Sequence, residues 1–139
     1  MALVVDTGPL LAAGDPDDRD HARCQDLLAS THEEIVVPAP VVVELEWITS
    51  SRTQPGSFDL FLESVGNGEF RVEPMNAEDY ARIRLLLRQY ADFPLGLVDA
   101  SVVAVCERLG ERKVATLDHR HFSVIRPSHT RSLHLLPDA

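Results

Sequence analysis

Four acids in this 139-residue chain stand where solvent-facing charge is not expected. Asp6 follows the apolar run Leu3-Val4-Val5, and Asp118 follows the similar run Val114 to Leu117. Glu44 lies within VVVELEWI, where its helical neighbours are Pro40, Val41, Trp47 and Ile48, whereas Glu46 faces the more mixed side of Val42, Val43, Thr49 and Ser50. Asp99 is the only charge between Leu95 and Cys106. Singly, each has an ordinary explanation: Asp6 and Asp118 as turn caps, Asp99 as an acid at a helix start, Glu44 as the partner of a buried arginine. Together they lack basic neighbours apart from His119 and Arg120. Uncompensated buried carboxylates cost on the order of several kcal/mol each. Convergence on a divalent cation removes that cost. Hard oxygen donors suit Mg²⁺ or Mn²⁺, and such a centre can activate water and stabilise charge on a phosphodiester.

The elements that must position these acids are legible around them. Leu3 to Val5 has the unalternating, β-branched character of a strand buried on both faces. Asp6 ends it, Pro9 suits the first turn of a helix continuing through Leu10 to Ala13, and Gly14 stops that helix. Strand, acid, tight turn and helix form one α/β unit, and open α/β sheets bind ligands at that strand edge. Asp17 or Asp18 is expected to cap a helix over 19–30. Ile35 to Val37 is a second buried strand closed by Pro38, and Pro40 opens a helix to about Ser50. Ser57 is expected to cap a helix from Phe58 to Val65, and Phe70 to Val72 is a short strand. Asn76 and Asp79 form a capping-box pattern for a helix through Tyr90 with Tyr80, Ile83, Leu87 and Tyr90 on its apolar stripe. Leu97 to Leu109 is a very apolar helix stopped by Gly110. After the strand 114–117, residues 119–129 are expected mostly as loop, and Leu133 to Leu136 as a last strand. Strands alternating with helices predict an α/β fold with a central, mainly parallel sheet in one domain, 1–139.

Composition narrows the class. Hydrophobic residues make up 45% of the chain, which excludes disorder. No apolar run approaches the roughly 20 residues of a membrane span, and the N-terminus has no signal-peptide pattern, so a cytoplasmic protein is expected. Cys24 and Cys106 lack metal spacing and fit reduced core thiols. The net charge of −9 excludes nucleic-acid binding through an overall basic surface, not a local one.

VVDTGPLLA with Asp6, VVVELEWI with Glu44, LGLVDASVVAVCERLG with Asp99 and VATLDHRHF with Asp118 together resemble the PIN-domain ribonucleases, specifically the VapC toxins of toxin–antitoxin pairs. The resemblance spans nearly the whole chain. It implies a three-layer α/β/α fold, Mg²⁺- or Mn²⁺-dependent endoribonuclease activity, a homodimer and a cognate VapB-type antitoxin. It implies catalytic roles for Asp6, Glu44, Asp99 and Asp118, with Asp6 and Asp99 as principal metal ligands and Asp118 completing the site. Glu44 then positions or deprotonates the attacking water, and Thr7 supplies a supporting hydroxyl. Arg120 and Arg126 are candidates for RNA phosphate contact. His119 and His121 stand where some family members carry a further acid, so a second metal is not implied; as loop histidines without a spaced partner they are left out of the ligand set.

Asp6-Thr7-Gly8 also resembles the aspartic-protease triplet, but those proteins are almost wholly β, whereas this triplet leads into a helix. Phosphatases with a strand-end aspartate need a second acid two residues on, where this chain has Gly8. A PIN-like binding module without nuclease activity is the other alternative. Trp47 and the Phe58, Phe61, Leu62 helix are expected as core before they are expected as a groove for a partner helix.

Overall fold

The computed structural model describes residues 1–52 and 54–138. Five strands, β1 (Ala2–Val5), β2 (Glu34–Pro38), β3 (Phe70–Glu73), β4 (Lys113–Ala115) and β5 (His134–Leu136), form one sheet in the order β3-β2-β1-β4-β5. Every pairing is parallel, with Val4 opposite Val36 on one side and Val114 on the other. Parallel sheets need cover on both faces, which explains why β1 and most of β2 are unbroken apolar runs and fully buried.

Helices α1 (Thr7–Ala13), α2 (His21–Ser30), α3 (Ala39–Ser51) and α4 (Pro55–Gly66) fill the first two crossovers. Helices α5 (Ala77–Gln89), α6 (Leu97–Leu109) and α7 (His119–Val124) fill the crossovers that return to β4 and then β5. Right-handed connection places the first group on one face and the second on the other, giving three layers. Packing agrees: α1 touches α2 and α3, α3 touches α4, and α5 touches α6. The chain moves outward from β1 through β2 to β3, then returns to the opposite side of β1 at β4. The topological switch point therefore lies between the carboxyl ends of β1 and β4, the edge where such sheets bind ligands.

α6 is the most buried helix, with every residue from Ala100 to Cys106 in the core. Its limits are those the sequence predicts, and Gly110 stops it at φ 70°, the left-handed conformation that glycine adopts without penalty. Asn76 and Asp79 form the expected capping box at α5. Cys24 and Cys106 are free and buried.

Several local expectations are corrected. Asp20, not Asp17 or Asp18, takes the N-cap position of α2; Asp18 instead accepts from the Asp20 N–H in a short turn. α4 begins at Pro55, so Ser57 lies inside the helix. Along α5 and its C-cap, Ile83 is buried and Leu87 and Tyr90 pack against the core as expected, joined by Leu86, but Tyr80 is 55% exposed. Residues 119–124, expected as loop, form α7, which Phe122 anchors in the core. Among the described residues no helix is long and apolar enough to cross a membrane.

Candidate active site

The four singled-out acids reach one cavity from four elements. Asp6 follows β1, Glu44 comes from α3, Asp99 from the first turn of α6, and Asp118 from the turn after β4. They line a cavity of about 380 Å³ with Thr7, Gly8, Leu11, Ile48 and Leu117. Its position is the switch point of the sheet.

Asp6 is only 7% exposed. It occupies the N-cap position of α1, but its carboxylate makes no capping bond into that helix beyond the adjacent Thr7 N–H. Its backbone N–H donates to Ala115 O at 2.9 Å, which locks the end of β1 to β4. The Thr116 hydroxyl donates to Asp6 Oδ2 at 3.0 Å and accepts the Asp118 N–H at 3.0 Å. Fully buried Thr116 therefore ties two of the acids together. Gly8 permits the close approach of α1 to this turn, because a Cβ there would stand 3.3 Å from Leu117 Cβ.

The carboxylates feel one another. Burial pushes the Asp6 carboxyl up to about 6; a Thr7 N–H bond and the Thr116 hydroxyl oppose this, and the Asp99 and Glu44 charges reinforce it. Burial likewise raises Asp99, with Asp118 and Glu44 adding to the rise, while a Gly96 N–H bond and nearby His121 act against it. Carboxyls pushed upward by burial, with like charges adding to the rise, in a cleft are a functional-site signature.

The chemistry of these donors fits a hard divalent cation: several carboxylate oxygens of one sign face one small cavity. Thr7 Oγ1, buried beside Asp6, has no hydrogen-bond partner among the described residues. An orphaned hydroxyl is costly unless something is bound there. Among the described residues no three His, Cys, Asp or Glu side chains are drawn into a closed ligand set, so the geometry names no particular ion.

The PIN domain family model matches residues 3–126. Over 125 residues the chain is 30% identical to Ribonuclease VapC26 of Mycobacterium tuberculosis, a match covering 90% of this chain and 93% of that protein. The chain belongs to the PIN-domain family, on its VapC ribonuclease branch. Two solved structures share the fold of this PIN domain. One is Mycobacterium tuberculosis VapC20, described as a sarcin-ricin loop cleaving toxin, with TM-score 0.78 and 20% identity over 93% of this chain and 98% of that one. The other is VapBC2 from Rickettsia felis bound to a DNA fragment from their promoter, with TM-score 0.69 and 18% identity over 97% of each chain.

The remaining predicted residues of this PIN domain lie as follows. Thr7 is in the cavity wall. Arg120 is exposed on α7, and Arg126 Nη1 donates to Ser123 O at 2.7 Å beyond that helix's end. Neither arginine lines the acidic cavity. His121 contacts Asp118 through Nδ1, a pairing that the reading of a loop there does not foresee. Thr116 is the residue sequence reasoning misses. Its signal is present as a hydroxyl two residues before a strand-end acid, a spacing at which a side chain takes an i+2 backbone N–H.

Trp47 and Leu62 are 67% and 47% exposed, which overturns their expected place in the core, while Phe61 is buried at 6%. Val43, Trp47, Tyr80 and Leu97 line a second, apolar groove of about 670 Å³. Glu44 borders both the groove and the acidic cavity.

Proposed function

We propose that this chain, as one PIN domain over 1–139, is the toxin of a type II toxin–antitoxin pair. Its activity is endoribonucleolytic cleavage in the acidic cavity. The observation that carries this reading is the meeting of Asp6, Glu44, Asp99 and Asp118 at the sheet's switch point in a PIN-family chain.

Asp6 and Asp99 are the principal ligands of Mg²⁺, with Mn²⁺ as a substitute, and Asp118 completes the set. When bound, the ion supplies charge for the scissile phosphate and acidifies an attacking water. Thr116 holds the Asp6 carboxylate in place, and the unpartnered Thr7 hydroxyl supports the same centre from the cavity wall. Glu44, in the cavity lining, orients the water and takes its proton. In-line attack on phosphorus then breaks the bond to the 3′ oxygen, leaving a 3′-hydroxyl and a 5′-phosphate. Arg120 and Arg126 are the candidate contacts for flanking RNA phosphates.

Its partners are RNA, a cognate VapB-type antitoxin and a second copy of the chain. The exposed Val43, Trp47, Tyr80 and Leu97 face supports this, since an apolar patch beside a site marks an interaction surface. Its compartment is the cytoplasm, where both RNA and reduced cysteines are found.

The test is incubation of the antitoxin-free protein with total cellular RNA in Mg²⁺, in Mn²⁺ and in EDTA. Discrete fragments with 5′-phosphate ends in either metal and none in EDTA support the reading. Intact RNA together with no thermal stabilisation by either metal rejects it. Stabilisation of on the order of 2.7 kcal/mol is expected at about 100 times the dissociation constant.

A further inference from the structure

Both oxygens of the Asp118 carboxylate are engaged by one residue. Oδ1 accepts the backbone N–H of His121 at 3.1 Å, and Oδ2 accepts from His121 Nδ1. Capping α7 requires only the first of these bonds. A carboxylate offers only acceptors, so Nδ1 carries the hydrogen and the tautomer is fixed.

The imidazole is itself held. The Phe93 ring meets it edge-on, with centroids 5.0 Å apart and planes at 89°, and Phe93 packs against Tyr90 at 6.5 Å. The Tyr90 hydroxyl accepts the Arg126 N–H at 2.8 Å. The loop that leads into α6, and so to Asp99, is thereby braced on the helix carrying His121. Asp118 is part-exposed and close to the cavity mouth, where an unrestrained aspartate samples several rotamers. Fixing a carboxylate before it meets a cation removes an ordering cost from binding.

We propose that His121 is a positioning residue of the metal site: its Nδ1–H, braced by Phe93, holds the Asp118 carboxylate in the orientation that lets it join Asp6 and Asp99 around one divalent cation. The inference rests on the site reading above. Groups that hydrogen-bond a metal ligand typically change affinity or activity about 10–100-fold when removed.

Asparagine and glutamine separate this role from bulk packing. The asparagine amide nitrogen stands about where Nδ1 does, and the glutamine nitrogen about where Nε2 does. Mn²⁺ binding isotherms are measured for the intact protein and for His121→Ala, His121→Asn, His121→Gln and Asp118→Asn, with melting temperatures taken in EDTA. His121→Ala is expected to weaken Mn²⁺ about 10–100-fold, His121→Asn to recover most of the loss, and His121→Gln not to. Asp118→Asn is expected to lose at least as much as His121→Ala. Equal recovery by glutamine and asparagine, or unchanged affinity in His121→Ala while Asp118→Asn is weak, overturns the role of His121 alone. Unchanged affinity in Asp118→Asn overturns the site reading beneath it.

Discussion

Asp6 is the acid for which the structure gives the largest expected effect. Its carboxyl rises from an ordinary 3.8 to about 6 on folding. The folded state therefore holds a proton on Asp6 that the unfolded chain has already released between those two values. The stability this proton contributes is fully present below about pH 3.8 and is lost as pH rises through about 6. At about 1.4 kcal/mol per unit, ionised Asp6 costs the metal-free fold about 3 kcal/mol at neutral pH relative to acid. Asp6→Asn removes the charge, yet its Oδ1 can still accept the Thr116 hydroxyl that Asp6 Oδ2 accepts now. The variant is expected to be more stable than the parent by about 2–3 kcal/mol at about pH 8 in EDTA, which is roughly 10 °C in Tm for a chain of this length. Near about pH 4 the two should coincide. Urea unfolding across that range, with the same change at exposed Asp17 as baseline, measures the difference. A gap that does not vary with pH, or a parent more stable than Asp6→Asn at alkaline pH, refutes the argument that burial and neighbouring carboxylates load this position. Mg²⁺ is expected to reverse the order, because only the parent has the full carboxylate set to bind it.

Thr116→Val deletes the donor to Asp6 and orphans the Asp118 N–H. It should lower stability by about 1–3 kcal/mol and weaken Mn²⁺ binding, with Thr116→Ser restoring both, as read by urea melts and titration. Arg108 donates to buried Asp79 and to Glu73. Arg108→Met removes the charge partner of buried Asp79, leaving it the Asn76 N–H, and should cost about 2–4 kcal/mol in the same melts while leaving metal affinity unchanged, since neither Arg108 nor Asp79 lines the acidic cavity.

What the sequence makes legible here follows from how much of each signal is local. β1, β2 and α6 are bounded by residues whose chemistry allows little else: unbroken β-branched runs, Asp6 and Gly110. All four acids are readable as misplaced because, apart from His119 and Arg120 beside Asp118, nothing basic adjoins them in the chain, and the structure gathers them at one cavity. α7 is hidden because its six residues offer a single core anchor, Phe122, too short for periodicity to register. Its cap, Asp118, reads first as a site acid, and it both caps α7 and lines the acidic cavity. The α4 start at Pro55 is carried by a first-turn proline signal that the nearby Ser57 obscures. Tyr80 faces outward on α5 although Ile83, Leu87 and Tyr90 of its expected stripe pack inward, because apolar content alone does not say where a stripe leaves the core. Trp47 is misassigned for the same reason: a large apolar side chain marks an interface as readily as a core, and one chain's sequence does not separate the two.

In the proposed function four carboxylates act as one RNA-cutting centre. Single-turnover cleavage rates at saturating Mg²⁺ for the parent, Asp6→Asn, Glu44→Gln, Asp99→Asn and Asp118→Asn test it most directly. Each variant is expected to lose about 100-fold or more while keeping the parent's circular dichroism, the scale of removing one positioned charge or proton acceptor from a transition state. A parent-like rate in Asp99→Asn, the acid on the most deeply packed helix, would contradict the account and place the chemistry elsewhere.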